Sequence, residues 1–316
     1  TYRSRDGRLR LNKDNIAGIR TKYDQKGNWN EEAYIGTNNQ LKEYSEFGYA
    51  LVKLKYNEQG QMAEWAYFGT DKNLKEDNYG CAIYRYKYDA YGNRIEYRYY
   101  GTEGQLKEDT DGFAVVQNRF DENANIVEWR YFGIDEQLKT DNYGIPVIRY
   151  QYDEKRNVLE RAYFGKDEKP AEDIDGISRV TYQYDQESKL LEDRTFGLDG
   201  KLKPDKDGIA IIKYEYNKEG KQIENRYYGP NEKLKEGKFG IAVIRYKYDA
   251  KGNQIEMRYF GADLKLKENT YGVAVIKYEY DSQGNFLKSI YLDKKEQEIK
   301  AKPEDQGQDQ EKDERD

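Results

Sequence analysis

Residues 240–261 read GIAVIRYKYDAKGNQIEMRYFG, and this stretch decides the fold. Ala242, Ile244 and Tyr246 share one face by the period of two, so the pattern predicts a β-strand with one apolar side. The Asp-Ala-Lys-Gly-Asn segment that follows is typical of a hairpin turn, because glycine and asparagine accept the positive φ of short loops. A second strand returns to the closing Tyr-Phe-Gly. The stretch therefore predicts one β-hairpin.

The same hairpin pattern occurs nine times, and eight of the nine copies are spaced by 32 residues without drift. The first copy opens at Asn15 and is one residue out of step. Self-similarity at this period indicates a repeat protein whose units bury apolar surface on their neighbours. We therefore predict an all-β, elongated solenoid of about nine antiparallel β-hairpin repeats, each with two strands and room for a short third. The opening glycines are Gly48, Gly80, Gly112, Gly144, Gly176, Gly208, Gly240 and Gly272.

The unbroken repeat predicts a single domain over residues 1–293. Beyond it the composition turns to Lys, Glu, Gln and Asp. Such a segment cannot bury enough apolar area to offset its ordering entropy. Residues 294–316 are therefore predicted to form a disordered, charged tail.

The turn motif carries a resemblance to a known family. Tyr88-Asp89 followed by Gly92-Asn93 is one of several Tyr-Asp-x-x-Gly-Asn turns that close an aromatic strand. This pattern resembles the YD repeats of bacterial RHS-type surface and toxin-shell proteins, and the resemblance implies a coiling antiparallel sheet and an extracellular or cell-surface location. A weaker likeness is to choline- or glucan-binding hairpin solenoids.

Charges across the hairpin predict its register. If the turn spans four residues, the residue before each terminal tyrosine of the first strand faces a recurrent glutamate on the second, as in Arg119 with Glu128. The last repeat swaps both members, to Glu279 and Lys288, whereas Glu215 opposite Glu224 contradicts the rule. We expect these pairs to be solvated and worth about 0.2–1 kcal/mol each, with the core on the other face. The remaining pairs are Lys22–Glu31, Lys55–Glu64, Lys87–Glu96 and Lys247–Glu256.

Composition weighs against several function classes. The absence of histidine removes the commonest general base and metal ligand, and Cys81, the only cysteine, is predicted to be a small buried core residue. Equivalent glutamates such as Glu96, Glu128 and Glu160 do not provide the unlike environments that acid–base catalysis needs. The net charge of −6 gives no footprint for nucleic acid, and no apolar run is long enough to span a bilayer. We predict a protein that is not an enzyme, uses no cofactor, and neither binds nucleic acid nor inserts into a membrane.

Three Asp-x-Asp-Gly segments, at residues 109–112, 173–176 and 205–208, are candidate Ca²⁺ loops. They lack the full EF-hand spacing and its bidentate glutamate. Another repeat carries Tyr79 where these carry the second aspartate. The pattern favours ordinary polar turns, and no metal site is predicted.

Aromatic residues recur in columns on both strands. A stacked tyrosine ladder is the simple interpretation, since tyrosine buries its ring while its hydroxyl reaches water or a partner. The alternative is a groove for sugars or proteins. Trp65, Tyr97 and Trp129 occupy the same position in three consecutive repeats and are the candidate for an exposed ligand-binding stripe.

These patterns favour a non-enzymatic structural or adhesive repeat protein of the bacterial surface or extracellular space. Residues 2–9 align with residues 67–74, so the chain opens with the second half of a repeat. This predicts that copies of the chain can stack head to tail into filaments, and the alternative is that the atypical terminal repeats cap the solenoid. A glycan- or protein-binding module that uses exposed aromatic stripes is the alternative function.

Overall fold

The computed structural model describes residues 2, 8–45 and 47–300. This part of the chain contains nineteen β-strands and no helix, so none that could cross a membrane. The predicted all-β tandem-hairpin architecture is confirmed. The strands are β1 (Gly18–Tyr23), β2 (Trp29–Ile35), β3 (Leu51–Tyr56), β4 (Met62–Phe68), β5 (Ile83–Tyr88), β6 (Arg94–Tyr100), β7 (Val115–Phe120), β8 (Ile126–Phe132), β9 (Val147–Tyr152), β10 (Val158–Phe164), β11 (Arg179–Tyr184), β12 (Leu190–Phe196), β13 (Ile211–Tyr216), β14 (Gln222–Tyr228), β15 (Val243–Tyr248), β16 (Gln254–Phe260), β17 (Val275–Tyr280), β18 (Phe286–Leu292) and β19 (Glu298–Ile299).

The chain divides into two compact units. One comprises Thr1–Tyr150 with Tyr163–Ala171, and the other comprises Gln151–Ala162 with Glu172–Asp316. Within each unit, consecutive strands pair antiparallel. Both units are built from the same hairpin repeat, so the period in the sequence gives no sign of the division.

The last repeat extends past the boundary predicted at residue 293. Strand β19 pairs with β18 through Tyr291 and Leu292. The turn before it is held by Glu296, which accepts a hydrogen bond of 2.9 Å from Arg258. This contact joins residues 38 positions apart, and a composition argument along the chain does not detect it. Residues 301–316 of the predicted tail lie outside the described residues.

Each repeat has three turns: the first joins the two strands of the hairpin, the second follows the second strand, and the third precedes the next hairpin. The first turn contains the Tyr-Asp-x-x-Gly-Asn motif. Asp89 Oδ1 accepts the backbone N–H groups of Tyr91 and Asn93, both at 2.9 Å, and Asn93 Nδ2 donates to Asp89 Oδ2 at 2.8 Å. The hydrogen bonds from Asn93 outweigh burial and lower the pKa of the Asp89 carboxyl. The aspartate thus replaces backbone partners inside the turn, as asparagine and aspartate commonly do.

The third turn contains the glycine that opens the next copy of the sequence pattern. It also explains why the first copy is one residue out of step. Gly80 has φ of 80° and Asn15, in the equivalent place, has φ of 64°, a left-handed conformation that these two residue types tolerate best. In most repeats this turn closes over four residues, as between Asp77 and Cys81. Between Tyr44 and Tyr49 it closes over five. The extra residue therefore lies in a turn and leaves the strands in step.

The predicted short third strand is reduced to a single bridge. Leu74 pairs antiparallel with Phe68, and the same bridge recurs in the other repeats. Phe68 and Leu74 pack on Ala66, Ala82 and Ile83 in one buried cluster. The leucine between the second and third turns is therefore half-buried and packs against the core.

The predicted register is confirmed. Lys87 lies opposite Glu96 and Arg119 lies opposite Glu128, with the register shifting at the next residue of the first strand. The swapped pair of the last repeat also lies in register, as does the exceptional Glu215 opposite Glu224. Charge complementarity across one hairpin was sufficient to predict this pairing.

The prediction that these glutamates are solvated is wrong. Glu128 is 1% exposed, and Glu96, Glu192, Glu224 and Glu256 are also buried. We call the side of the hairpins that carries these glutamates the ion-pair face. On this face, long cationic side chains lie flat over aromatic rings while their charged ends pair with the glutamates. The Arg245 guanidinium, for example, lies 4.6 Å from the Phe260 ring centroid. The core therefore has contributions from both faces.

Each buried carboxylate is surrounded by several cations. Glu128 accepts hydrogen bonds from Arg130 Nε at 2.7 Å and Arg149 Nε at 2.6 Å, and Arg119 Nη1 lies 3.5 Å away. Burial would raise the pKa of the Glu128 carboxyl, but the hydrogen bonds from the two arginines outweigh burial and hold it below its usual value. At Glu256 the hydrogen bond from Arg258 is the largest effect and lowers the pKa to about 2.

We predict that Glu128→Gln destabilises the protein by about 3 kcal/mol, because it removes the partner of several cations in a buried site. The matched control is Glu279→Gln, whose side chain is 48% exposed and pairs with Lys288 at 3.4 Å. The control should cost less than about 1 kcal/mol. Urea unfolding followed by circular dichroism measures both values. Equal costs for the two variants would show that the buried carboxylates are no more important than exposed ones.

We also predict that stability falls in acid. The folded pKa of these glutamates is depressed, so their contribution is complete above the ordinary glutamate pKa of 4.5 and is lost as the pH falls towards about 2, the folded value of Glu256. The free energy of unfolding should therefore decrease from pH 5 to pH 2.5. Glu256→Gln should show a shallower decrease. A flat profile over this range in the native chain would contradict the assignment.

Candidate functional site

The side of the hairpins opposite to the ion-pair face carries the aromatic columns, and we call it the aromatic face. In the first unit it contains a buried cluster of Ile16, Tyr34, Tyr49, Val52 and Leu54. In the second unit the corresponding buried cluster contains Ile241, Met257, Tyr259, Val273 and Ile276. The aromatic face is thus part of the core and also the surface on which the predicted binding residues lie.

Tyrosine hydroxyls tie each hairpin to the one before it. Tyr88, at the end of a first strand, donates from its hydroxyl to the backbone oxygen of Met62 at 2.7 Å. The same bond recurs 26 residues apart for Tyr216, Tyr248 and Tyr280. These bonds satisfy backbone carbonyls near the hairpin turn, which explains why this column is tyrosine rather than phenylalanine.

Phe120 is the exception in this column. It has no hydroxyl to reach the equivalent carbonyl, which belongs to Arg94. That oxygen instead accepts a long bond of 3.4 Å from Asn118 Nδ2. The chain therefore contains both a complete and an incomplete version of the same inter-hairpin contact.

The predicted binding residues Trp65, Tyr97 and Trp129 all lie on the aromatic face, on β4, β6 and β8, and all three are half-buried. Trp65 contacts Trp29 edge-on at 5.6 Å between ring centroids. Tyr97 and Trp129 make similar contacts with rings of their own hairpins. Because a first strand lies between successive second strands, the three positions are roughly 10 Å apart. The structure thus places them in line but not in mutual contact.

Trp65 retains an unusual polar group. Its indole Nε1 is buried and, within the described residues, has no hydrogen-bond partner. Trp29 Nε1 is in the same situation. A buried donor without a partner costs free energy, so the two tryptophans are retained for the packing of their rings.

A cavity of about 410 Å³ opens on the aromatic face of the second unit, and the sequence analysis did not identify it. It lies beside Gly237, in the third turn of its repeat. Most other repeats have aspartate or asparagine at this position, as at Asp109, whose Oδ1 accepts the N–H groups of Asp111 and Phe113 at 3.0 Å. Gly237 has no side chain to fill the space. The signal in the sequence is this one glycine in a column of polar side chains.

The cavity has aromatic walls and a mixed rim. Tyr227, Phe239, Tyr246 and Tyr259 contribute rings, while Asp205, Asp207 and Lys238 contribute charges. Its size lies within the usual range for small-molecule sites, which combine apolar walls with a few polar groups.

The acidic turns serve as hydrogen-bond acceptors. Asp205 Oδ1 accepts the N–H groups of Asp207 and Ile209 at 2.9 and 3.0 Å. Across the part of the chain that the structure describes, no group of three potential ligands could hold a metal ion. The half-buried Asp109 differs from the turn aspartates at the hairpin tips, because partial burial raises the pKa of its carboxyl.

Cys81 is fully buried, as predicted from the sequence. Burial raises the pKa of its thiol to about 12, with smaller contributions from nearby carboxylates. The thiol is therefore protonated at neutral pH and is a poor nucleophile. It belongs to the core and not to a reactive site.

Comparisons with known proteins give structural matches only. No family profile matches the sequence, and no curated protein matches it. The crystal structure of TcdB2-TccC3 without its hypervariable C-terminal region matches with 14% identity and a TM-score of 0.49, over 88% of this chain and 13% of that one. TcdB2-TccC3-TEV matches with 13% identity and a TM-score of 0.47, over 87% of this chain and 13% of that one. The chain thus spans a small part of the length of both matched structures.

We predict that Tyr88→Phe destabilises the protein by about 1 kcal/mol, because it removes the bond to the Met62 carbonyl and leaves the ring in place. The reciprocal change, Phe120→Tyr, should stabilise by up to about 1 kcal/mol by supplying the missing donor to the Arg94 carbonyl. Thermal or urea unfolding measures both. Similar stabilities for Tyr88→Phe and the native chain would mean that the hydroxyl bond contributes nothing.

Proposed function

We propose that this protein is a non-enzymatic structural or adhesive repeat element of the bacterial surface or extracellular space, built from YD-repeat-like hairpins. The observation that carries the proposal is the equivalence of the repeats. The same ion-paired glutamate, the same hairpin turn and the same inter-hairpin bonds recur along each unit. The resemblance of the Tyr-Asp-x-x-Gly-Asn turn to YD repeats supports the location.

The chemistry of the buried carboxylates supports a role without catalysis. Burial alone would raise the pKa of Glu96, Glu128 and Glu224, but the hydrogen bonds from neighbouring cations outweigh this effect. The pKa of all three carboxyls is therefore lowered, and all three carry the same charge. General acid–base catalysis uses groups whose environments push their pKa values apart. The ion-pair face instead repeats one environment, which supports a structural role.

We further propose that copies of the chain associate head to tail through the outer edge of β1 and the part of β18 that β19 leaves uncovered, residues 286–290. Tyr2 N–H donates to Ala17 O at 2.7 Å, as Tyr67 N–H donates to Ala82 O at 2.9 Å, which supports the alignment of Tyr2 with Tyr67. Among the described strands, β1 pairs only with β2. An edge of this kind can accept another strand.

One pair of charges opposes this contact. Between hairpins, a glutamate of the second strand lies opposite a cation of the next first strand in several repeats, as in Glu256 opposite Lys277. If a second molecule continued this register, Lys288 would lie opposite Arg20 of the next molecule. Like charges directly across a strand pair are destabilising. The association should therefore be weak at low ionic strength and strengthen when salt screens the repulsion.

Light scattering tests this proposal. The native chain should associate more strongly at high than at low salt. Arg20→Glu should associate more strongly than the native chain at low salt, because it places opposite charges at the contact. The triple variant Arg20→Glu, Glu279→Lys, Lys288→Glu keeps the hairpin pair and restores like charges, so it should return to weak association. A monomer in all three forms at every salt concentration would rule out head-to-tail assembly.

A glycan- or protein-binding module that uses Trp65, Tyr97 and Trp129 is the second candidate. The observation in its favour is that the three rings are half-buried and in line, so each keeps some exposed surface. Aromatic rings are good platforms for the apolar faces of sugars. Glycan-array binding that is lost in Trp129→Ala would favour this function over a purely structural one.

A further inference from the structure

One repeat of the chain holds a ring where the cavity beside Gly237 is open. The backbone positions are equivalent: Lys42 N–H donates to Tyr34 O and Lys235 N–H donates to Tyr227 O, and Tyr44 and Gly237 each follow two residues later. Tyr44 and Gly237 then begin the third turn of their repeats by donating to the oxygens of Tyr49 and Ile241. The two positions therefore correspond, and one has a phenol ring where the other has a hydrogen atom.

The ring of Tyr44 shows what this position accepts. It stacks on Tyr34 with ring centroids 4.9 Å apart and an interplanar angle of 23°. Tyr34 has its counterpart in Tyr227, which lines the cavity. Stacking on this column also occurs from a second position: Phe113, which corresponds to Tyr49, stacks on Tyr131 at 4.4 Å and 19°. Face-to-face stacking is thus found at several tyrosines of this column in the first unit, beside edge-on contacts such as that of Tyr84 with Tyr99.

We propose that the cavity beside Gly237 is a binding site for a planar aromatic ring of the size of a tyrosine side chain, stacked on Tyr227. The rings of Phe239, Tyr246 and Tyr259 complete its walls, and Ile241 and Met257 are buried among them. Offset stacking of aromatic rings is favourable beyond the area it buries. Residues 301–316 contain no aromatic side chain, so that segment cannot supply the ring.

The rim sets a preference for charge. Asp205 and Asp207 contribute two negative charges and Lys238 one positive charge, which leaves the rim one unit negative. A ring that carries an ammonium group should therefore bind more tightly than the same ring with a carboxylate. For partly exposed charges the difference should be at most about fivefold.

Ligand-observed saturation-transfer NMR with the full chain tests the site. The probes are 4-methylphenol, tyramine and 4-hydroxyphenylacetate, with methyl β-glucoside as the non-aromatic ring. We expect saturable binding of the three aromatic probes, tyramine the tightest, and none of the glucoside. A Lys-Tyr-Lys peptide, blocked at both ends, distinguishes the source: binding of the peptide supports a side chain presented by a protein, whereas binding of only the free probes supports a small molecule. Absence of aromatic binding, or equal binding of the glucoside, would overturn the proposal.

Substitutions at Gly237 locate the binding. Its φ is not in the left-handed region, and a Cβ there would meet Ile209 Cγ1 at 3.5 Å, an ordinary contact, so side chains are tolerated. Gly237→Tyr should abolish probe binding by supplying the ring that Tyr44 supplies in its own repeat. Gly237→Ala, the matched control, fills little of the cavity and should retain binding within about twofold. If Gly237→Tyr does not fold, Gly237→Asp introduces the side chain that most other repeats carry and should weaken binding by about fivefold or more. Unchanged binding in a folded Gly237→Tyr or Gly237→Asp variant would overturn the assignment.

Discussion

A glutamate buried in the second strand must be surrounded by cations, because an unpaired carboxylate in a protein interior is strongly destabilising. Glu96 shows how the chain meets this requirement. Its carboxylate accepts from Lys87 across the hairpin, from Arg98 on its own strand and from Gln117 on the next hairpin. Arg98 also donates a hydrogen bond to Glu136, in the second turn of the following repeat. Glu96 thus fixes the hairpin register and the pairing of adjacent hairpins, and through Arg98 the position of a turn.

This requirement explains why the period is kept so strictly in the strands and less strictly in the turns. A one-residue slip of a strand would move every side chain to the opposite face and separate each glutamate from its cations. The extra residue between Tyr44 and Tyr49 is tolerated because it lies in the third turn, away from these ion pairs. The replacement of the turn aspartate by Gly237 is tolerated for the same reason. The added residue and the missing turn side chain therefore both lie where the buried carboxylates do not constrain the chain.

Most of the fold could be predicted from the sequence because its determinants are local. Alternation predicts the strands, the turn residues predict the hairpins, and the charges of Arg119 and Glu128 predict the register. The burial of Glu128 could not be predicted in this way, since Arg149, which shields it, comes from the next hairpin. For the candidate site, the recurring aromatic residues predicted the aromatic face. The cavity could not be predicted in this way, because it results from the absence of a side chain at Gly237. Recognising it requires knowing what the equivalent Tyr44 contacts.

The two faces of the hairpins therefore differ in how much change they can accept. On the ion-pair face, each buried glutamate needs cations around it, and the departures from the pattern, at Glu215 and at the swapped Glu279 and Lys288, involve exposed side chains. On the aromatic face, most interactions are dispersion and ring contacts that are individually weak, and the hydroxyl bonds of the tyrosine column add to them. The hydroxyl bond is missing at Phe120 and a whole side chain is missing at Gly237, yet both hairpins keep their position in the sheet. A scaffold held by one face can thus vary the other, and differences in binding between repeats are expected on the aromatic face.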